Sequence, residues 1–268
     1  MLMAYQPLAC RTRFICGEVN MAVDRKLWAE SFTNGLPHWP CPTCTKGHLV
    51  VMEGKLWNEE TGPSKAAHSH DAWDLEWIEK RFVGLLECSM PVCKELVAVG
   101  GSSSIDYYQI GENEYVDDTY YRVESLHPAP IPISCPEETP APVEESIREA
   151  SSLFWQSPES TANKIRQAVE NLMNVHGIDS KDGKGNHVNL HVRIEQFSIT
   201  DALNGEVLLA TKWLGNSGSH VGGISREEVL DAFDMIELVL ENLYGKTKDE
   251  IMAKVAAVNA AKGAKKKP

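Results

Sequence analysis

Four cysteines stand in two close pairs, Cys41-Pro-Thr-Cys44 and Cys88-Ser-Met-Pro-Val-Cys93, and thiols so spaced are the side chains best suited to hold a soft divalent metal. A hairpin carrying two nearby cysteines can aim both sulfurs at one point, and two such hairpins complete the tetrahedron that zinc prefers. The first pair alone would equally suit a thiol redox motif; the second turns the expectation to metal. With all four positions taken by protein, zinc would keep no open site for water, so the expected cofactor is structural zinc on Cys41, Cys44, Cys88 and Cys93. Seven cysteines are an odd number, which fits a metal site in a reducing compartment better than a disulfide framework. Cys10, Cys16 and Cys135 read as small buried hydrophobes, and His68 and His70 as solvated loop residues rather than competing ligands.

A second set of candidates lies in the C-terminal half. Ala162, Arg166 and Glu170 recur at helical spacing, which puts Arg166 and Glu170 on one face, either as a surface ion pair or as part of a binding site. Further on, Gly215-Asn216-Ser-Gly-Ser-His220 follows a helix end among glycines that permit tight backbone approach. Asn216 and His220 fit two roles there, a polar site or a cap that fixes the turn. Lys212, about one turn before Asn216, adds a cation. The loop DSKDGKGN has its carboxylates and glycines at offsets that suit neither a calcium loop nor a phosphate cradle.

The elements that must position these residues differ between the two halves. The N-terminal half reads as short strands, His48 to Val51, Phe82 to Glu87 and Glu95 to Val99, broken by turns. Between them DAWDLEWIEKRF reads as a short helix that packs Trp73, Trp77 and Ile78 into the core. The proline-rich, acidic stretch HPAPIPISCPEETPAP resists regular structure and predicts an extended connection. Beyond it the period turns helical. Ile147, Ala150, Ser151 and Phe154 mark a first helix; Ser157-Pro158 caps a second that Gly177 stops; two shorter ones lie near Leu190 to Phe197 and Val207 to Leu214. A last long helix opens with the capping box Ser225 to Glu228 and runs to Tyr244, with Val229, Phe233, Ile236, Leu240 and Leu243 along one stripe. The closing residues lose the apolar face and read as a solvated, lysine-rich tail rather than a phosphate-contacting arm.

The expected organisation is therefore α+β: an N-terminal extension over 1–20, a small β zinc-ribbon domain with an inserted helix over 21–128, a proline-rich linker over 129–142, an all-α bundle over 143–245 and a tail over 246–268. A formal net charge of -12 opposes indiscriminate binding to a polyanion, although a local basic surface would escape that restriction. No apolar run approaches the roughly 20 residues needed to span a bilayer, and Arg11 and Arg13 interrupt what would be the core of a signal peptide. The expectation is a cytoplasmic protein without a membrane partner.

The runs SPESTANKIRQAVENL and WLGNSGSH, with the terminal helix ending NLYG, resemble an uncharacterised family within the HEPN superfamily of small helical domains. Members of that family often stand beside prokaryotic defence genes and frequently carry a cysteine-pair zinc ribbon in front, as CPTC and CSMPVC stand here. The resemblance implies a HEPN-like bundle, a homodimer, and either RNA or DNA or a protein of a defence system as partner. Active members of the superfamily are metal-independent RNases that set an Arg, a polar residue and a His at a dimer seam. On this chain the polar residue matches Asn216 and the His matches His220, while the Arg position holds Gly215. Without a guanidinium to hold a phosphate, the expectation leans to a non-catalytic accessory role, with Arg166, Glu170, Asn216 and His220 as binding residues. The alternative is an RNase using His220 and Asn216 with Lys212 or Arg166 as substitute cation.

Overall fold

The computed structural model describes residues 23–111, 114–217 and 223–261; the expected extension over 1–20, together with Cys10, Cys16 and His220, lies outside them. The fold is α+β. Strands β1 (Phe32–Thr33), β2 (Leu49–Glu60), β3 (Glu79–Cys88), β4 (Leu96–Gly111) and β5 (Glu114–His127) form one antiparallel sheet in the order β1-β5-β4-β3-β2, with the short helix α1 (Gly62–Ala67) between β2 and β3. Helices α2 (Ala141–Leu153), α3 (Pro158–Val175), α4 (Leu190–Ser198), α5 (Ala202–Ser217), α6 (Arg226–Tyr244) and α7 (Lys246–Ala261) follow.

The sheet obeys the period of two. Phe82, Leu86, Val97, Val99, Val123 and Leu126 are buried on one face, while Trp57, Val83 and Leu96 stand on the other face and are exposed. A bulge at Gly100 and Gly101 lets β4 continue, and Gly101 is required there because a Cβ would lie 2.1 Å from the Arg122 carbonyl oxygen. The strands are thus far longer than the sequence suggested. The helix expected over DAWDLEWIEKRF is not formed: only a 3-10 turn at Leu75–Trp77 appears, and β3 begins at Glu79. Pairing of Glu79, Lys80 and Arg81 with Ser104, Ser103 and Ser102 draws those residues into the sheet. Trp77 is consequently exposed, not core.

The helical half follows its apolar stripes. Ile165, Ala168, Val169, Leu172 and Met173 of α3 and Val229, Phe233, Ile236 and Leu240 of α6 are buried. Ser157 caps α3 by accepting from the Ser160 N–H, and Gly177, at φ 72°, ends that helix in the left-handed conformation. The capping box of α6 is complete, Ser225 and Glu228 each accepting from the other's backbone N–H. Buried Arg193 of α4 donates to the Ile178 and Glu170 carbonyl oxygens and to Asn174, which seals the C-terminal end of α3. The expected solvated tail is helical over α7, where alanine-rich sequence supports helix without a packed face; its side chains over 252–260 are exposed.

The two halves interlock through aromatic rings. Trp28 meets Phe154 and Trp155 at centroid distances of 5.5 and 5.7 Å, and Trp39 meets Trp155 edge-on at 5.7 Å. Arg25 binds Asp231 at 2.8 Å and Asp234 at 2.5 Å on α6. The proline-rich connection is packed against the helices: Ile133 and Thr139 are buried, and the Ser134 N–H donates to Glu237 at 2.7 Å.

Two consequences can be measured. Trp155→Ala, which empties the centre of this seam, is expected to cost about 3–5 kcal/mol in urea unfolding; a loss below about 1 kcal/mol would show that the rings do not hold the halves together. Burial raises the Glu237 carboxyl to about 7, with Asp234 and Glu241 adding to the effect against the opposing Ser134 N–H. The folded state then holds this proton more tightly than the unfolded chain, so the contribution is complete below the usual carboxylate range and is lost as pH rises through 7. Glu237→Gln is expected to be more stable than wild type at pH 8, by up to about 3 kcal/mol, with the gap closing toward pH 4.5. Melting temperatures that differ equally at both pH values would contradict this.

Candidate metal centre

The first cysteine pair sits in the turn before β2, and the second in the turn between β3 and β4, so the sheet itself carries both to one end. Pro40 bridges to His48, the Cys41 N–H donates to the Gly47 carbonyl at 2.9 Å, and Thr45 N–H closes the turn on the Cys41 carbonyl at 3.1 Å. In the second turn the Lys94 N–H reaches the Met90 carbonyl at 3.2 Å in the same way. Thr45 and Lys94 occupy matching left-handed positions, φ 55° and 51°. The two turns therefore share the pattern Xaa-Pro-Xaa-Cys-Xaa, with Met90 standing where the first has Cys41. The fourth sulfur comes instead from Cys88, at the last residue of β3. This explains the longer spacing of the second pair.

All four Sγ atoms lie within 4.8 Å of one another. Cys41 and Cys93 are 3.8 Å apart and Cys44 and Cys88 3.6 Å, against the edge of about 3.8 Å that a tetrahedron with zinc–sulfur bonds of about 2.3 Å requires. The donor set and its size are therefore compatible with a zinc site. Gly47 makes the approach feasible: a Cβ there would lie 2.6 Å from the Cys88 sulfur and 2.7 Å from Met90 Cγ. Thr43 Oγ1 donates to Glu95 at 2.6 Å and Ser89 N–H to the His48 carbonyl at 2.9 Å, tying one turn to the other.

The electrostatics are lopsided. Backbone N–H groups of Gly47, then Lys46, turned toward Cys44 hold its thiol down to about 6. Burial pushes Cys88 up to about 12, and the neighbouring sulfurs reinforce it. One sulfur thus ionises readily and its charge discourages the rest, an arrangement in which a dication would stabilise all four as thiolates. Of the other candidate ligands, exposed His68 pairs with Glu60 at 2.7 Å, away from the sulfurs, and half-buried Cys135 is not part of the cluster.

The helical candidates are gathered only in part. Arg166 pairs with Glu170 at 2.9 Å, and its charge, after burial, helps to lower the Lys212 ammonium. Lys212 is buried, its Nζ 3.4 Å from the Trp213 ring centroid. Asn216 is half-buried in the last turn of α5, and His220 lies outside the described residues. Gly215 is buried against α3, where an added Cβ would lie 2.8 Å from Arg166 Cβ and 3.1 Å from the Ala162 carbonyl. Among the described residues no helix is long and apolar enough to cross a membrane.

Residues 30–128 match the model of a family described as a domain of unknown function (DUF8608), and residues 148–262 match that of another, DUF4145. No curated protein and no solved structure matches the chain.

Gly47→Ala provides a direct test of the site's geometry. Titrating wild type with Co2+ is expected to develop thiolate-to-metal charge-transfer absorption that saturates at one equivalent. The alanine variant is expected to take up the metal at least about tenfold more weakly, because a sulfur or Met90 must move to admit the methyl group. Equal affinities would mean that Gly47 does not shape the cluster.

Proposed function

We propose that this chain is a non-catalytic accessory protein, stapled by structural zinc on Cys41, Cys44, Cys88 and Cys93, whose sheet and HEPN-like helical unit together present a rigid surface to a protein partner. The observation that carries it is the set of four sulfurs within 4.8 Å of one another, which would give the ion four protein donors and leave it no open coordination position. Zinc so held supplies stability rather than chemistry, roughly 10–16 kcal/mol of apparent binding free energy in small zinc domains. The setting implied by the resemblance is prokaryotic defence.

Two further features favour an accessory role over RNA cleavage. The position where active relatives of that superfamily carry Arg is Gly215, and the contact with Arg166 leaves no room for a larger side chain without a shift of α3 against α5. Arg166 itself is engaged by Glu170. A protein partner is favoured over a nucleic acid by charge. The chain carries -12 overall, and several of its cations are already paired: Arg25 with Asp231 and Asp234, Arg148 with Glu144, and Lys164 with Glu149.

Protein purified without chelator is expected to contain one zinc per chain. Stripping it should abolish near-ultraviolet circular dichroism and open residues 23–128 to protease, while RNA incubated with the protein in EDTA stays intact. Unchanged dichroism and protease resistance after complete metal removal would refute the staple. Cleavage that persists in EDTA and disappears in His220→Ala would make the chain an RNase instead.

A further inference from the structure

The β4–β5 hairpin outruns the rest of the sheet. Pairing of β3 with β4 ends at Ser104, and from Ile105 to Gly111 β4 pairs with β5. The segment before β3, which the sequence suggested would be a core helix, lies along this free part of the hairpin and leaves a cleft of about 760 Å3, within the range of ligand pockets. Trp73 and Asp74 form one wall; Ile105, Tyr107, Tyr115 and Asp117 form the other. The four hairpin residues share one face by the register, in which Tyr107 stands opposite Asp117. Tyr107 and Tyr115 are 6.0 Å apart between ring centroids, and the Tyr107 hydroxyl donates to Asp74 at 3.2 Å, which spans the cleft.

Charge on these walls has one sign. Asp74 and Asp117 are the charged side chains that line the cleft, and neither 66–79 nor 95–121 contains a Lys or Arg. The negative potential reaches the cleft: Asp74 in the first place, then burial and Glu76, raise the Tyr107 hydroxyl. Aromatic rings backed by carboxylates attract cations through the ring quadrupole and through Coulomb attraction together. They repel phosphate. An apolar ligand would leave Asp74 and Asp117 without a counter-charge at the surface they share with it.

We propose that this cleft receives a lysine or arginine side chain of a partner polypeptide, its cationic head against the rings of Trp73, Tyr107 and Tyr115 and its charge met by Asp74 and Asp117. The proposal deepens the partner-docking reading above and rests on it for the claim that a protein is the physiological ligand. It lies away from both the sulfur cluster and the helical half. Charge complementarity commits the occupant to a basic segment.

The test is calorimetric titration of the full chain with hexalysine, with hexalysine acetylated on every side chain and with hexaglutamate as comparisons. Saturable binding of hexalysine alone is expected. Tyr115→Ala and Asp117→Asn, both at exposed positions, should each weaken it about five- to tenfold, whereas Glu145→Gln, which removes the same charge from an exposed position of α2, should leave it unchanged. Binding of the acetylated peptide, an equal loss in Glu145→Gln, or full affinity in Tyr115→Ala would overturn the proposal, since diffuse attraction to an acidic surface would then suffice. Thermal melts of the variants matching wild type establish that the fold is retained. A zinc-free protein would sink the staple but leave these titrations standing, and loss of lysine binding would leave the staple untouched.

Discussion

Four sulfur atoms within 4.8 Å of one another are the constraint from which the N-terminal half follows. Thiols this close do not all ionise readily, since each thiolate opposes the next and burial already raises the Cys88 thiol. A dication would reverse that balance and turn repulsion into a cross-link between the turn before β2 and the turn before β4. The geometry needed for this reaches well beyond the cysteines. It includes a side-chain-free Gly47, two left-handed residues and a strand end that delivers Cys88 at the right height. Such a cross-link would close one end of a sheet that is otherwise open to water on one face.

The same turn is also a joint between the halves. Trp39 lies two residues before Cys41 and packs on Trp155; its backbone carbonyl accepts the Leu49 N–H at the start of β2. Arg148 of α2, paired with Glu144, donates to the Pro42 carbonyl inside the first cysteine turn. Between these contacts lies a cavity of about 350 Å3 lined by Cys41, Ile133, Cys135, Arg148 and Glu237. Any change at the sulfurs is therefore felt within a few ångströms of the helical core, and the proline-rich connection is too well packed to decouple the two.

The readiest parts of the fold to find in the sequence were those specified by side chains close together along the chain. The Ser225 capping box, the Ser157 cap, the Gly177 stop and the two cysteine pairs are local chemistry, and each forms as expected or lies where expected. The long hairpin was not legible although Ile105, Tyr107, Tyr108, Val116, Tyr120 and Tyr121 favour strand, because Gly100 to Ser104 and the interleaved acidic residues break the alternation until β4 and β5 pair. The segment around Trp73 and Trp77 failed in the opposite direction. Its helical spacing was real, but pairing of Glu79 to Arg81 along β4 satisfied more backbone groups than one further turn of helix could. The cleft beside Tyr107 was hidden for the same reason, since its two walls are distant in sequence and meet only once that hairpin forms. Gly47 did carry a signal, as the glycine of a Thr-Lys-Gly turn, but nothing local shows that its missing side chain is needed for the sulfur of Cys88.

Gly215 shows how packing can decide the chemistry available to a helical scaffold. On α5 it faces Ala162 and Arg166 of α3, and the absence of a Cβ lets the stem of Arg166 lie directly across it. The guanidinium is thereby carried past Gly215 to Glu170 on its own helix, while Lys212, one turn back, rests its ammonium on the Trp213 ring. Two cations thus border a buried glycine with their charges directed to protein groups. An arginine placed at 215 would displace the one at 166, so the close helix approach and a cation at that position exclude each other. At this position the sequence supplies the close approach of the two helices.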